Sequence, residues 1–204
     1  MPTRKLIKII INDRYINYKL MFPVIRIAIE SDFDGILDLQ SRNLYSKLSI
    51  SELENGFVMT PFTPDLLMKL LLQSGVFVAE DAGHIVGYLL AGDWEFFSQW
   101  EIFELMISRL PNLKFEDREI TLDRSFQYGP ICIDRASRGS GIFPQLFDLM
   151  RSSFAPKFPV GVTFINKLNS RSFAAHTRKL DLKVVDEFEF NGNSFYTLAF
   201  LTAN

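Results

Sequence analysis

Residues 138–141 read Arg-Gly-Ser-Gly and lie between an apolar segment, residues 128–133, and an amphipathic one, residues 142–154. The two glycines let the backbone approach a ligand closely, and a guanidinium suits phosphate oxygens. If a strand leads here into a helix, the unpaired N–H groups and the dipole of the helix start favour an anion. The pattern predicts a phosphate site, and its alternative is an ordinary glycine-containing turn with a surface arginine.

Two other phosphate motifs do not fit this turn. A P-loop requires Gly-Lys-Ser/Thr after a four-residue gap, and residues 138–141 lack it. The dinucleotide fingerprint requires a third glycine, and the turn also comes late in the chain. The turn alone therefore leaves several phosphate-bearing ligands open.

The surrounding sequence predicts a mixed sheet that positions this turn. Apolar periodicity and turn residues such as Asn191-Gly192 separate the elements. Strands are predicted at residues 24–29, 76–80, 84–92, 128–133, 160–165, 182–190 and 194–202. Helices are predicted at about residues 32–44, 64–73, 94–110, 142–154 and 169–180. The crossover through residues 126–165 should be parallel and right-handed, which gives an α/β (α+β) fold with a mostly antiparallel sheet of about seven strands and helices on both faces.

Composition narrows the class of protein. The chain has 204 residues, enough for one large domain, and a formal net charge of −2, without the basic excess expected of a nucleic-acid binder. A single cysteine, Cys132, rules out an intrachain disulfide framework and favours a cytoplasmic protein. No apolar run approaches the roughly 18 residues of a membrane span. Residues 1–20 are predicted to be an extension of a single domain at residues 21–204, or else an extra strand at its edge.

Residues 133–142, Ile-Asp-Arg-Ala-Ser-Arg-Gly-Ser-Gly-Ile, resemble the central motif of the GCN5-related N-acetyltransferase family. In that family a strand continues through Val-x-Pro-x-x-Arg-Gly-x-Gly-Ile into a helix. A second segment, residues 169–182, is similar to the family's Asn followed by a small residue three positions on and a helix ending in Lys-Leu-Gly-Phe. Here Asn169, Ser172 and a terminal Lys-Leu-Asp-Leu occupy those places. The resemblance covers Val24 to the C-terminus.

Three positions depart from the family pattern. Ala136 stands where the family often has Gln or Arg, so one phosphate ligand is missing unless Arg135 substitutes. Asp181 replaces the usual glycine, although Asp tolerates the left-handed region better than most residues. His176 stands where many members have a tyrosine acid.

The resemblance implies an acetyl-coenzyme A-dependent N-acetyltransferase in which an amine attacks the thioester directly. The alternative is a non-catalytic acyl-coenzyme A-binding or regulatory module. We expect no metal, because the His, Cys, Asp and Glu spacings of the chain suggest none. The residues implied to bind acetyl-coenzyme A are Ile131, Cys132, Ile133, Arg138, Gly139, Ser140, Gly141, Ile142, Phe143, Asn169 and Ser172.

The proton-handling residues implied by the resemblance are His176 and Tyr128. His176 is the candidate acid because an imidazole can donate near neutral pH, and its alternative role is to pack or cap its helix. Tyr128 and Gln127 lie near where the family places a base or a water-holding group, and Tyr128 could instead be a wall of the site. Asp93 and Glu95 are further base candidates, or solvated loop residues, whereas Cys132 is predicted to be a buried strand cysteine rather than a nucleophile.

The acceptor implied by the resemblance is a small-molecule amine or a peptide amine, with no nucleic acid and no membrane as partner. Phe96, Trp100 and Phe103 recur at helical spacing. This aromatic stripe could line an acceptor pocket, form a homodimer face, or simply pack on the sheet. Its length and composition connect it to acceptor specificity, together with residues 46–63, which are predicted to be irregular because Gly56 and Pro61 interrupt them.

Overall fold

The computed structural model describes residues 22–203 in full and, before them, the backbone of Leu6–Ile11 and Arg14–Lys19. Its strands are β1 (Leu6–Ile11), β2 (Arg14–Lys19), β3 (Val24–Ile27), β4 (Val76–Asp81), β5 (His84–Gly92), β6 (Lys114–Phe115), β7 (Arg118–Glu119), β8 (Ser125–Ile133), β9 (Val160–Asn166), β10 (Lys183–Phe190) and β11 (Asn193–Leu201). Its α-helices are α1 (Phe33–Ser41), α2 (Ile50–Leu53), α3 (Pro64–Leu72), α4 (Trp94–Phe97), α5 (Glu101–Arg109), α6 (Ile142–Phe154) and α7 (Ser170–Lys179).

Seven strands form one mixed sheet in the order β10-β11-β9-β8-β5-β4-β3. Every neighbouring pair is antiparallel except β8 and β9, which are parallel. The predicted class and the parallel crossover are therefore confirmed. The crossover passes through α6, so the strand that carries the glycine turn leads directly to the helix that follows it.

Alternating side chains divide the interior into two apolar clusters, one on each face of the sheet. On β5, Tyr88 and Leu90 belong to one cluster, and Leu89 and Ala91 belong to the other. Apolar residues of α1, α3, α4 and α5 belong to the first cluster, and those of α6 belong to the second. Helices cover both faces, as the sequence pattern predicts.

The aromatic segment differs from the single helix predicted for residues 94–110. It forms α4 and α5, separated by a break at residues 98–100. The Ser98 hydroxyl donates to the carbonyl of Glu95, and Trp100 adopts an extended conformation as the N-cap of α5. Its ring lies within 6.1 Å of Phe96, Phe97 and Phe103, centroid to centroid. Packing of the indole therefore replaces one turn of helix. The stripe packs on the sheet, and Phe103 also lines a cavity between β8 and β9.

The remaining differences lie in the connections. The short helix α2 occurs in the stretch 46–63, which the sequence predicts to be irregular, and the polar connector before β8 contains the β6–β7 hairpin. At the N-terminus, β1 and β2 pair with each other in a two-stranded sheet. The side chains of residues 1–21 lie outside the described residues, and the proposed extension at residues 1–20 stays a prediction.

Candidate active site

The two parallel strands at the centre of the sheet separate partway along their length. β8 pairs with β9 only from Ser125 to Gln127, although β8 runs on to Ile133 and β9 to Asn166. On its other edge β8 stays paired with β5 up to Ile133. Beyond Gln127, the edge of β8 that faces β9 therefore offers backbone groups that a bound ligand can pair with.

The glycine turn has the backbone that its sequence predicts. Gly139 and Gly141 both have φ of +87°, the left-handed region where a side chain would be strained. No atom lies within 4 Å of where a Cβ on Gly139 would stand. Gly141 is the N-cap of α6, so the first N–H groups of this thirteen-residue helix lie beside the turn. The turn is an open concave backbone suited to an anion.

Arg138 is fixed by backbone carbonyls rather than by a carboxylate. Its Nε donates to the carbonyl of Ile133 at 3.0 Å, and its Nη1 donates to the carbonyl of Asn55 at 2.5 Å. Burial, and after it the charge of Arg171, lower the pKa of the guanidinium below its usual value. An anion beside Arg138 would relieve this uncompensated positive charge.

Two cavities meet along the separated strands. The cavity at the glycine turn, here called the turn cavity, has a volume of about 250 Å³, and the one between β8 and β9, the strand cavity, about 80 Å³. Both are lined by Ile131, Asn169, Ser172 and His176. Of the predicted cofactor residues, those that line the turn cavity are Ile131, Cys132, Ile133, Arg138, Gly139, Gly141, Ile142, Phe143, Asn169 and Ser172.

Ser140 is the predicted cofactor residue that lines neither cavity. Its hydroxyl donates to the carbonyl of Ser137 at 2.7 Å and stabilises the turn from within. Asp134 also stabilises the turn, since its carboxylate accepts from the backbone N–H of Ala136 and pairs with Arg42. These bonds, together with those of Arg138, hold the glycines in place.

His176 and Tyr128 form a hydrogen-bonded pair inside the protein. Nδ1 of His176 lies 2.7 Å from the carbonyl oxygen of Ser172, which can only accept, so Nδ1 carries the hydrogen. Nε2 is then the acceptor for the Tyr128 hydroxyl, 2.9 Å away. Burial lowers the pKa of His176 to about 4 and raises that of Tyr128 well above its usual value. At neutral pH the transferable proton is therefore on Tyr128 Oη, and both groups are uncharged.

The other reactive candidates lie in different surroundings. Burial raises the pKa of the Cys132 thiol to about 12, so the thiol is not a ready nucleophile. Asp93 caps α4 by accepting from the N–H of Phe96, and Glu95 is exposed. Neither carboxylate lines either cavity.

The loop at residues 46–63, which the sequence connects to acceptor specificity, contacts Arg138 and Asn169 beside the separated strands. The carbonyl of Asn55 accepts from Arg138, and that of Phe57 accepts from Asn169 Nδ2 at 3.0 Å. The chain then runs past Met59, which also lines the strand cavity. These contacts join residues more than 80 positions apart, and no local pattern marks them.

The sequence motifs also do not include two cationic residues on α7, although their spacing in the sequence could have identified them. Arg171 and Lys179 line the turn cavity together with Ala175, and the three are spaced by four residues. Such spacing places them on one face of a helix. Reading that face beside the glycine turn predicts three cations, Arg138, Arg171 and Lys179, around one cavity.

Asp181 adopts the conformation expected of the glycine that it replaces. Its φ is +58°, in the left-handed region that Asp tolerates. The following N–H, of Leu182, donates to the carbonyl of His176 at 3.2 Å. The departure at this position therefore leaves the end of α7 formed.

The described residues contain no group of three or more His, Cys, Asp or Glu side chains placed to hold a metal ion. In the same part of the chain, no helix is both long and apolar enough to cross a membrane.

Comparison with known proteins identifies the fold. No family model matches the chain, and no curated protein matches it in sequence. Among solved structures, yncA from Salmonella typhimurium with its cofactor acetyl-CoA has a TM-score of 0.60 at 16% identity, over 90% of this chain and 96% of that one. An N-acetyltransferase from Staphylococcus aureus Mu50 has a TM-score of 0.57 at 18% identity, over 88% and 98%. The ribosomal-protein-alanine N-acetyltransferase from Brucella melitensis has a TM-score of 0.56 at 20% identity, over 87% and 99%. The chain has the fold of the N-acetyltransferases that its two motifs resemble.

Proposed function

We propose that the protein is an N-acetyltransferase that moves an acetyl group from acetyl-coenzyme A to an amine by direct attack on the thioester. The observation that carries the proposal is the separation of β8 from β9 beside an open glycine turn. A neighbour in fold contains acetyl-CoA, and another is the NatC complex bound to Gag peptide and CoA. The acceptor class that we propose is accordingly a small-molecule or peptide amine.

The residues present fit a phosphate-bearing co-substrate. Gly139 and Gly141 form the concave turn, and Arg138, Arg171 and Lys179 supply positive charge around the turn cavity. None of these three cations forms an ion pair within the described residues. The edge of β8 at residues 131–133, where β9 has separated, would hold the extended arm of the molecule as an added strand would, with the carbonyl of Ile133 already occupied by Arg138 Nε. Acetyl-coenzyme A would supply the thioester.

The proton chemistry assigns different tasks to the two members of the buried pair. The pKa of about 4 keeps His176 uncharged at neutral pH, so an imidazolium acid is scarce there. The proton lies on Tyr128 Oη and is donated to Nε2 of His176 in this structure. We assign Tyr128 as the donor to the leaving sulfur, a role in which its hydroxyl turns from Nε2 towards the developing thiolate. His176 is then a positioning residue that fixes the hydroxyl through Nε2. General acid–base assistance of this kind contributes roughly 100- to 10,000-fold.

Release of free thiol tests the proposal. Purified protein is incubated with acetyl-coenzyme A and a panel of primary amines, and thiol release and the acetylated product are both measured. We expect amine-dependent release, and His176→Ala should lower kcat while leaving acetyl-coenzyme A binding intact.

A second candidate function is a non-catalytic acyl-coenzyme A-binding module. It is favoured by the lack of a side-chain donor at Ala136 and by the absence of a carboxylate from the lining of the strand cavity within the described residues. Tight binding of acetyl-coenzyme A without thiol release across the whole panel would establish this function instead.

A further inference from the structure

The strand cavity is uncharged throughout its described lining. Among the described residues it contains no Asp, Glu, Lys or Arg, and its one titratable imidazole, His176, is buried and neutral. Four large apolar side chains form walls: Phe57, Met59, Phe103 and Phe164. An ammonium group entering such a cavity would lose water without gaining a counter-charge, which is costly.

Gln127 lies at the point where β8 and β9 separate and gives this cavity an unpaired buried polar atom. Other uncharged polar side chains of its lining are Thr60, Thr163, Asn166, Asn169 and Ser172. Gln127 Nε2 donates to the carbonyl of Tyr128 at 2.8 Å, and this bond fixes the amide orientation because a carbonyl only accepts. Its Oε1 is then an acceptor, and it is buried with no partner within the described structure. Gln127 is only 2% exposed, so the unpaired oxygen is a specific polar feature rather than a solvated surface group.

From these two features, and resting on the proposed function, we infer that the acceptor is a weakly basic primary amine carried on an uncharged apolar body. Its neutral N–H group pairs with Oε1 of Gln127, and its body packs against the aromatic walls. A polyamine or a lysine side chain does not fit, since neither the cavity nor Gln127 offers a negative charge.

The basicity of the amine decides how much of it can react without a protein base. An amine with the basicity of a lysine side chain is about 0.04% neutral at pH 7, whereas an α-amino group is roughly 10–20% neutral. The neutral form attacks the thioester carbon, forms the amide bond and expels the thiolate. The proton that leaves the nitrogen is taken up by the thiolate, which is released as free thiol. A weakly basic acceptor therefore removes the need for the carboxylate that the cavity lacks.

The test compares three amines with the whole protein, by thiol release at pH 7. The probes are phenylalanine amide, whose amine is an α-amino group on an aromatic body, Nα-acetyl-lysine amide, and putrescine. We expect kcat/KM for phenylalanine amide to exceed those of the other two by at least tenfold. We also expect its pH profile to rise with the titration of the amine itself.

A carboxylate placed in the cavity provides the reciprocal test. Gln127→Glu should shift the ratio of kcat/KM towards Nα-acetyl-lysine amide by tenfold or more. Gln99→Glu is the matched control, because Gln99 Nε2 also donates to a backbone carbonyl, that of Phe96, but the residue is exposed and lines neither cavity. This control should leave the ratio unchanged.

The outcomes separate the inference from the proposed function. Preference for Nα-acetyl-lysine amide or putrescine by the unaltered protein would overturn the inference and leave acetyl transfer standing. An apparent pKa that is the same for amines of different basicity would also overturn it, because an enzyme group would then control the rate. Thiol release from no amine, despite acetyl-coenzyme A binding, would overturn acetyl transfer itself and this inference with it.

Discussion

The hydroxyl of Tyr128, on β8, donates to Nε2 of His176, on α7, across 2.9 Å. Both side chains are buried, at 0% and 3% exposure. The bond joins the strand that ends in the glycine turn to the helix that supplies two cations of the turn cavity. The ring of Phe143, in the first turn of α6, lies 5.1 Å from the imidazole and completes the contact. The hydrogen bond and this ring contact together join three elements of the candidate site, β8, α7 and α6.

Loss of this bond should reduce both stability and turnover. Tyr128→Phe leaves Nε2 of His176 buried without its donor, which should lower the free energy of unfolding by about 1–3 kcal/mol. If the proposed roles hold, kcat should fall at least tenfold with little change in KM. Urea unfolding and steady-state kinetics measure the two effects.

Tyr88→Phe is the matched control for that variant. The Tyr88 hydroxyl is also fully buried, but it has no partner in the described part of the chain. Its removal should be neutral or stabilising, because an unpaired buried polar group is lost. An equal loss of stability in both variants would contradict the assigned hydrogen bond.

Stability should fall as the pH drops through the range in which His176 titrates. The folded protein holds the pKa of His176 at about 4, against 6.5 for an ordinary histidine, because burial disfavours the charged form. The unfolded chain therefore binds more protons between these values, so the stabilisation is complete above about pH 6.5 and declines towards pH 4. The pKa difference corresponds to at most about 3 kcal/mol.

Urea unfolding at pH 7 and pH 5 measures this effect. His176→Gln removes the titrating group while keeping an acceptor for Tyr128, so the variant should lose less stability between the two pH values than the unaltered protein. An unchanged pH dependence would show that other groups control it. The uncharged neighbours Tyr128, Phe143 and Ser172 supply no competing titration at this site.

The elements with strong local signals were predictable from sequence, and those set by tertiary packing were not. Asn191-Gly192 predicts the last hairpin, because the turn needs two residues that adopt positive φ, and both do so here. The stripe through Phe96, Trp100 and Phe103 is continuous in sequence, yet the helix breaks because the indole of Trp100 packs into the cluster. Periodicity records which residues are apolar, but not whether the backbone between them stays helical.

The candidate site also contains residues that local sequence patterns predict and residues that they do not. The glycine turn and Asn169 are visible as motifs because backbone conformation and helix capping require particular residue types locally. The resemblance places Gln127 near the site, but its hydrogen bond is not visible in sequence, because Nε2 donates to the carbonyl of Tyr128 only where β9 separates from β8. The contact of Arg138 with Asn55 is equally non-local. The contacts of such side chains depend on elements distant in sequence. They therefore could not be predicted from local sequence patterns.

Cys132 should be dispensable for turnover. Burial raises the pKa of its thiol to about 12, and the side chain is 5% exposed. Cys132→Ala should retain kcat within a few-fold and lose modest stability, because a small buried side chain is truncated. A thiol reagent should label the native protein slowly and the urea-unfolded protein at once. An acetylated Cys132 detected by mass spectrometry during turnover would instead indicate a covalent intermediate.

Asn169 should have two separable functions at the start of α7. Its Oδ1 accepts from the N–H of Ser172, and its Nδ2 donates to the carbonyl of Phe57. Asn169→Ala loses both bonds and should cost about 0.5–2 kcal/mol through the cap alone. Asn169→Asp keeps the cap and loses only the loop contact. Hydrogen exchange in residues 55–59 should therefore rise in both variants, while thermal stability should fall mainly in the alanine variant.

Arg138 should be required for binding of the co-substrate, both through its charge and through the two carbonyl contacts by which it holds the glycine turn. Its guanidinium is half-buried, lacks a carboxylate partner in the described residues and lines the turn cavity beside Gly139. Loss of a hydrogen bond to a charged group costs about 1.5–3 kcal/mol, so Arg138→Ala should weaken acetyl-coenzyme A binding by roughly 10- to 100-fold. Arg178→Ala is the control, because Arg178 is exposed on α7 and lines neither cavity. Calorimetric titration at two salt concentrations measures both variants, and equal weakening would mean that general positive charge, rather than the fixed guanidinium at the turn, attracts the ligand.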